Sequence, residues 1–312
     1  EKSLLPVTIL RQFPLSEFLP LNQPAMSRHD RLTQIQRLDP VQDHIEICHL
    51  ITGYEFPWDV TRALEVALFR TFCVPSIAKL LDRTGEFHHH PQKRYDDTGL
   101  LLSSILKWGY NSEPGQAAIQ RMNRIHHHFP ITNSDYLYVL STFIYEPVRW
   151  VDRFGWRRLS EIEKQGLFYF WYRVGQQMQI QDIPDTYAAF EQYNLTYEDQ
   201  YFCYSPATQR VGESTLQLFL SWFPAPLRPI ARPLVYALLD QRMLTAFGFP
   251  QPTTYQRQMV ETLLRSRGWL LRYFPPRQQP SFYVDASHRS YPQGYTLEDL
   301  GPPGLLRELN QK

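Results

Sequence analysis

The sequence predicts an all-α protein, a single helical domain with an extended N-terminal arm and an irregular C-terminal tail. Residues typical of helix ends recur between residues 39 and 273. Strands are not expected, because apolar and polar residues alternate only over short stretches and hairpin dipeptides are nearly absent. The aromatic share of 14%, with 19 Tyr and 19 Phe, indicates a sizeable core. Residues 1–26 are predicted to be the arm, 27–274 the domain and 275–312 a Pro-rich tail, either wrapping or loose.

Each predicted helix is bounded by residues whose chemistry suits a helix end. Asp, Asn, Ser or Thr can cap the first turn, proline suits the first helical position, and glycine suits the stop. Ser160 and Glu163 have the spacing of a capping box. The predicted helices are, in order, Asp39-Pro40 to Gly53, Asp59 to Phe72, Pro75 to Gly85, Asp96 or Asp97 to Trp108, 113–129, 135–154 with Asn133 or Ser134 as cap, Ser160 to Met178, Asp185 or Thr186 to Phe202, 206–222, 226–247 and 253–273.

Pro147 interrupts the longest of these helices. It has no N–H to donate to the carbonyl of Phe143, so a kink between these two residues is expected. A plain turn between two helices is the alternative.

Charge balance and missing motifs exclude several function classes. Lys and Arg number 32 against 31 Asp and Glu, which leaves no excess positive charge for nucleic acid. No Gly-rich phosphate motif occurs, and no run of 18 apolar residues predicts a spanning helix. Cys48, Cys73 and Cys203 form no zinc or disulfide pattern and favour a reducing compartment. Residues 1–6 do not form a signal peptide, so a cytoplasmic location is expected, with membrane association left open.

One histidine is predicted to point into the core. His126 shares a helix face with Ile119, Met122 and Phe129, all of which are apolar. Such a histidine is either a hydrogen-bonded structural group or the axial ligand of a haem iron, which needs a neutral imidazole among apolar side chains.

The other histidines of the two triplets offer a rival site. His127 lies on a polar face and His128 on a mixed one, so His128 is only a backup ligand. A zinc site would need ligands from both triplets, 88–90 and 126–128, and no H-E-x-x-H motif occurs. The first triplet precedes Pro91 in a polar stretch, which favours a solvated loop.

Arg94 and Thr98 are four residues apart and share a helix face. Together they could contact a polar ligand atom inside the core, with Arg94 pairing with a carboxylate or polarising bound oxygen. The alternative is a capped helix start in which Arg94 forms a salt bridge with Asp96 or Asp97.

A second group of arginines interleaves with aromatic residues. An anionic ligand such as a haem propionate could use this group, but a solvated face with arginine stems over aromatic rings is the alternative. The residues are Arg149, Arg153, Arg157 and Arg158, with Trp150, Phe154 and Trp156.

A combination of short segments resembles one known family. The segments are Phe69-Arg70-Thr71-Phe72, Val74-Pro75-Ser76-Ile77-Ala78, Arg83-Thr84-Gly85, Arg94-Tyr95-Asp96-Asp97-Thr98, Arg124-Ile125-His126, Pro130-Ile131, Asp135-Tyr136-Leu137-Tyr138-Val139-Leu140, Glu146-Pro147, Arg149-Trp150, Phe154-Gly155-Trp156-Arg157 and Ile183-Pro184-Asp185-Thr186-Tyr187. Over most of residues 50–250 the chain resembles the MpaB-like oxygenases, a family that includes the latex-clearing rubber oxygenases.

The resemblance implies a helical, globin-like core and a b-type haem oxygenase that cleaves carbon–carbon double bonds of isoprenoid-like chains with dioxygen. The family's proximal histidine matches His126, with Met122 and Phe129 beside the haem, and its R-x-x-x-T pair matches Arg94 and Thr98. Dioxygen would bind opposite the histidine, and that pair would stabilise the polar intermediate.

The same resemblance also bears on the expected substrate. Rubber oxygenases have a lysine where this chain has Asp97, so lysine capping of the iron is not expected and rubber is not the expected substrate. The expected partners are an apolar small molecule and dioxygen. A non-catalytic haem or lipid carrier and a cofactor-free interaction protein are the alternatives.

Overall fold

A computed structural model describes residue 27 and residues 29–311. Within these residues there are fifteen α-helices and no β-strand, which confirms the all-α prediction. The predicted arm, residues 1–26, lies outside the described part. The α-helices are α1 Asp30–Ile35, α2 His44–His49, α3 Pro57–Thr71, α4 Pro75–Thr84, α5 Glu86–His89, α6 Pro91–Trp108, α7 Glu113–His127, α8 Asn133–Phe154, α9 Glu161–Gln177, α10 Tyr187–Tyr201, α11 Pro206–Ser221, α12 Arg228–Leu238, α13 Gln241–Phe247, α14 Thr254–Leu271 and α15 Leu306–Leu309.

Several helix ends follow the predicted chemistry. The Ser160 hydroxyl accepts a hydrogen bond from the Glu163 backbone N–H, and the Glu163 carboxylate accepts one from the Ser160 backbone N–H. The capping box is therefore confirmed. Thr186 caps α10 in the same way, through the N–H of Ala189. Gly85 ends α4 with φ of 72°, a conformation that favours glycine.

The prediction for the first long helix is wrong at both ends. Asp39 does not open it; its carboxylate accepts hydrogen bonds from the N–H groups of Val41 and Gln42 and holds a turn. The α-helix begins at His44 and passes into a π-helical turn, Leu50–Glu55, through Gly53. A Cβ on Gly53 would lie 2.6 Å from the Phe282 ring. This glycine therefore allows Phe282 of the C-terminal tail to pack closely on the helix, and it does not end the helix.

Three further boundaries are corrected. α6 begins at Pro91, so Asp96 and Asp97 are buried inside it instead of capping it. α8 is capped by Thr132 and runs unbroken through Pro147, so the turn between two helices is wrong, and the kink stays a prediction. The segment 226–247 splits into α12 and α13, because Asp240 accepts a hydrogen bond from the Met243 N–H and starts a new helix.

The helices pack around α8, whose side chains are mostly buried. α8 contacts α3, α9, α10 and α14, while α6 packs on α7 as an antiparallel neighbour and α4 packs on α11. Apolar side chains from α3 and α6 to α10 form a large core with aromatic residues from α8 and α9. Those of α4 and α11 belong to a second cluster with α12 and α13. The globin-like description and the domain limits stay predictions.

The C-terminal tail wraps the α6–α7 pair. The Tyr283 hydroxyl donates to Asp96 at 2.9 Å, and the Gly301 N–H donates to Asp97 at 3.0 Å. On α7, the Arg121 guanidinium donates to the backbone carbonyls of Glu298, Leu300 and Leu309. The tail is therefore an integral part of the fold and not a loose end.

Candidate functional site

The α6–α7 hairpin brings together two residues that are 32 positions apart in the sequence. A short turn, residues 109–112, joins the two helices, and Ser112 caps α7 through the Gly115 N–H. Gly109 has a φ of 80°, and a Cβ on Gly115 would lie 1.9 Å from its carbonyl oxygen, so the turn is tight. The start of α6, with Arg94, therefore lies beside the end of α7, with His126.

The His126 ring is half-buried and has no hydrogen-bond partner among the described residues. Its Nδ1 has no exposed surface and no partner, and the ring meets Tyr136 edge to face at 5.6 Å. Burial, reinforced by the positive charge of Arg94, lowers its pKa from 6.5 to about 4. The imidazole is therefore neutral at pH 7, the form that can bind a metal ion.

The face pattern of α7 agrees with the prediction. Ile119 and Met122 are buried, and Phe129 packs against the core. His127 and His128 are exposed, and the His128 Nδ1 lies 3.6 Å from Glu308. His126 makes no hydrogen bond to any described residue, so the interpretation of it as a hydrogen-bonded structural histidine has no support.

Arg94 is held by Thr98 and not by a carboxylate. The Arg94 Nη1 donates to the Thr98 hydroxyl at 2.6 Å, and that hydroxyl donates to the Arg94 carbonyl at 2.9 Å. Burial lowers the pKa of Arg94, although Asp97 and Glu86 act against this. The guanidinium lies 5.9 Å from the centre of the Phe87 ring.

The predicted salt bridge from Arg94 to Asp96 or Asp97 is wrong, because both carboxylates face the tail. Asp97 pairs with Lys93 at 2.8 Å and accepts from the Tyr291 hydroxyl. Asp96 accepts from Gln92 and Tyr283. Within the described residues Arg94 makes no ion pair, so most of its N–H donors are left for a ligand.

The histidine triplets do not assemble a zinc site. In the described part of the chain, no three His, Cys, Asp or Glu side chains lie close enough together to hold a metal ion. The triplet 88–90 is solvent-exposed as expected, but its first two residues belong to α5 and not to a loop. His88 bonds to Ser214 and Asp82, and His90 pairs with Glu86.

Three of the four aromatic-flanked arginines, all except Arg158, form ion pairs. Arg149 donates to Glu146 and Asn194, and Arg157 donates to Glu55 and Glu163. Arg153 lies over the Phe154 ring at 4.8 Å. The alternative of arginine stems over aromatic rings is the one that this geometry favours.

Two residues beside the site were missed from the sequence. Tyr136, at the start of α8, contacts His126, and Phe87, on α5, contacts Arg94. The spacing of residues along one helix could not indicate either contact, since each residue belongs to a different element from the one that it touches.

The described part of the chain contains no helix with the length and hydropathy that a membrane span requires.

Comparisons with known proteins point to one group of enzymes. Residues 60–272 match the family model described as "ER-bound oxygenase mpaB/B'/Rubber oxygenase, catalytic domain". The ER-bound oxygenase mpaB' of Penicillium brevicompactum is 25% identical, with 80% of this chain and 74% of the relative aligned. The ER-bound oxygenases mpaB of Penicillium roqueforti and Penicillium brevicompactum are each 26% identical, over 62% and 72% of this chain and 70% and 55% of the relatives. His126, Arg94 and Thr98 all lie inside the matched range.

Proposed function

We propose that this chain, which belongs to the family of mpaB/B' and rubber oxygenase catalytic domains and is an oxygenase, works with a b-type haem held by His126. Its substrates would be dioxygen and an apolar molecule with a carbon–carbon double bond, such as an isoprenoid-like chain. The observation that carries the proposal is a neutral, half-buried imidazole whose buried Nδ1 has no partner, next to an arginine that makes no ion pair within the described residues.

The residues present fit such a group. His126 offers a neutral ring nitrogen, and Met122 and Phe129 supply apolar surface one helical turn before and after it. When bound, a haem iron supplies the activation of dioxygen. The protein's part is to hold the group in place, keep water away from it and orient the apolar substrate.

Arg94 would act on the oxygen atoms of the reaction. A desolvated guanidinium donates strong hydrogen bonds to oxygen that takes up negative charge, and low polarity around it strengthens them. Thr98 is a positioning residue, because its hydroxyl fixes one guanidinium nitrogen and leaves the others free to face a ligand.

Haem binding is tested by absorbance of the purified protein mixed with haem. We expect a Soret band that His126→Ala abolishes and that His127→Ala, an exposed neighbour on the same helix, keeps. A well-folded wild-type chain without a Soret band, or equal binding by His126→Ala, would overturn the proposal.

Catalysis is tested separately from binding. The haem-loaded protein is incubated with a prenyl alkene under labelled dioxygen, and carbonyl products carrying the label are sought by mass spectrometry. No cleavage products, with haem bound, would instead identify a non-catalytic haem or lipid carrier. A colourless, inactive protein would be a cofactor-free interaction protein.

The proposal includes association with a membrane surface, because the relatives are named ER-bound oxygenases. An apolar substrate of this class dissolves in lipid, so access from a membrane would suit the proposed reaction.

A further inference from the structure

Helix α14 has two apolar faces, and only one of them packs on the protein. Val260 and Gly268 are buried, and Gly268 approaches the end of α8 so closely that a Cβ would lie 2.4 Å from the Phe154 carbonyl oxygen. The second face, called here the outer face, is exposed to solvent along the whole helix. It consists of Tyr255, Met259, Leu263, Trp269 and Leu270.

The outer face is unusual in its exposure and its regularity. Its members range from 39% exposed at Met259 to 74% at Tyr255. At about 100° per residue they fall within roughly 120° of the helix circumference, so they form one continuous stripe. Tyr273 continues the stripe just beyond the helix, and Leu227 and Ile230, at the start of the neighbouring α12, are also exposed. Apolar stripes of this extent mark an interaction surface.

The surrounding charge is strongly positive. Residues 222–277 contain eight arginines, no lysine and only two carboxylates, Asp240 and Glu261, whereas the whole chain has a net charge of +1. Eight arginines against two carboxylates give this segment a net charge of +6, so the rest of the chain carries −5.

A groove borders the outer face at its C-terminal end. It is lined by Trp269 and five arginines, Arg153, Arg157, Arg158, Arg265 and Arg272, with a single carboxylate, Asp152. Arg153 and Arg265 pair with Glu261, and Arg157 pairs with Glu55 and Glu163. Arg158 and Arg272 make no ion pair with any described residue, and Arg272 donates to the Trp156 carbonyl. The groove thus offers the guanidinium groups of Arg158 and Arg272 to phosphate oxygens.

We propose that the outer face of α14 and this arginine groove dock on the surface of an anionic lipid bilayer. The stripe would insert between the headgroups, with Trp269 at the level of the headgroups, and the groove would bind their phosphates. Tryptophan and tyrosine beside arginine on an amphipathic helix are the composition expected at such an interface. The proposal names the surface behind the membrane association proposed above, and it does not depend on haem.

A second copy of the chain fits this surface less well. A symmetric dimer would place the same arginine-rich patch against itself, and the like charges would repel. An anionic membrane instead neutralises the arginines while it buries the stripe.

The test is sedimentation of the full chain with lipid vesicles at low and high salt. We expect binding to vesicles that contain phosphatidylserine, weak binding to pure phosphatidylcholine, and loss of binding as salt rises. Leu263→Ser with Leu270→Ser should lower the partition about tenfold or more. Val41→Ser with Leu195→Ser, which removes exposed apolar side chains elsewhere, should leave it unchanged.

The arginines and Trp269 are tested in parallel. Arg158→Gln with Arg265→Gln should weaken binding to anionic vesicles, while Arg37→Gln with Arg210→Gln, equal in charge but distant, should not. Brominated lipid should quench tryptophan fluorescence in the wild type and much less in Trp269→Phe. Circular dichroism checks that every variant is folded.

Three outcomes would overturn the inference. They are a folded wild type that ignores anionic vesicles, equal binding by the Leu263/Leu270 variant, and a wild-type dimer that this variant dissociates without any lipid binding. Since the assay uses no haem, each outcome is separate from the Soret test of the proposed function.

Discussion

Two partly buried arginines, Arg70 and Arg94, have opposite electrostatic surroundings within the same fold. Arg70, at the end of α3, donates to Glu198 at 2.5 and 2.6 Å, pairs with Asp240 and lies 3.6 Å from Glu146. Arg94, at the start of α6, has only the Thr98 hydroxyl. Burial acts to lower the pKa of both, but the carboxylates around Arg70 raise its pKa well above the usual value, while that of Arg94 stays lowered.

The charge of Arg70 is neutralised by carboxylates of the fold, whereas that of Arg94 is not paired with any described residue. Around Arg70 each carboxylate is matched by a donor, and the Tyr138 hydroxyl also donates to Glu198. Arg94 has Asp97 and Glu86 as charged neighbours without pairing with either, and it also acts on His126, a neutral imidazole with an unpartnered nitrogen. Desolvated groups without internal partners cost stability, so their presence at one place in the fold marks the place where a ligand would complete them.

The largest effect is expected when the Arg70 network is broken. Arg70→Met leaves Glu198 and Glu146 buried without their cation, so the free energy of unfolding should fall by about 3–5 kcal/mol in urea titrations. Arg210→Met, which breaks an exposed pair with Asp82, should have a much smaller effect, because solvent screens that pair. Similar losses for the two variants would remove the distinction between the buried network and a surface pair.

A smaller loss is expected at Asp97, a buried carboxylate with several hydrogen-bond partners. Asp97→Ala removes the acceptor for Lys93, Tyr291 and the Gly301 N–H, and should cost about 2–3 kcal/mol. The tail should then be cleaved faster by trypsin at Arg289 or Arg307, both exposed. Asp285→Ala, at an exposed ion pair with Lys107, is the control and should leave the cleavage rate near that of the wild type.

Thr98→Val tests whether the hold on Arg94 matters to function more than to folding. Two hydrogen bonds are lost with little change in shape, so the free energy of unfolding should fall by only about 1 kcal/mol. If Arg94 acts on the reacting oxygen, kcat of the haem-loaded enzyme should drop with KM little changed. Thr84→Val, which loses a comparable bond to the Leu81 carbonyl, should leave kcat unaltered.

The smallest change in stability is expected at His126. His126→Leu removes no hydrogen bond, so the haem-free protein should stay within about 1 kcal/mol of the wild type or become more stable. His44→Leu is the contrast, because both ring nitrogens of His44 are bonded, to the Val41 carbonyl and the Tyr110 hydroxyl. A larger loss at His126 than at His44 would mean that His126 is a structural core histidine after all.

The sequence by itself determined the helices and their faces. Helix caps such as Ser160 with Glu163, and the apolar stripe that carries His126, depend on residues within a turn or two of each other, and short-range spacing records them directly. The resemblance to the family adds the expectation that His126 is the histidine that binds a haem. Boundaries failed where a distant partner overrode a local signal, as at Asp96 and Asp97, whose carboxylates bind the tail and do not cap a helix.

Only the tertiary structure decided which groups meet. The proximity of Arg94 to His126, the missing partner of the His126 Nδ1 and the exposure of one apolar face of α14 all depend on how separate helices pack. The physical reason is that periodicity fixes the direction of a side chain on its own helix, whereas burial and hydrogen bonding are set by elements far away in the sequence. An apolar stripe looks the same in sequence whether it faces the core or solvent.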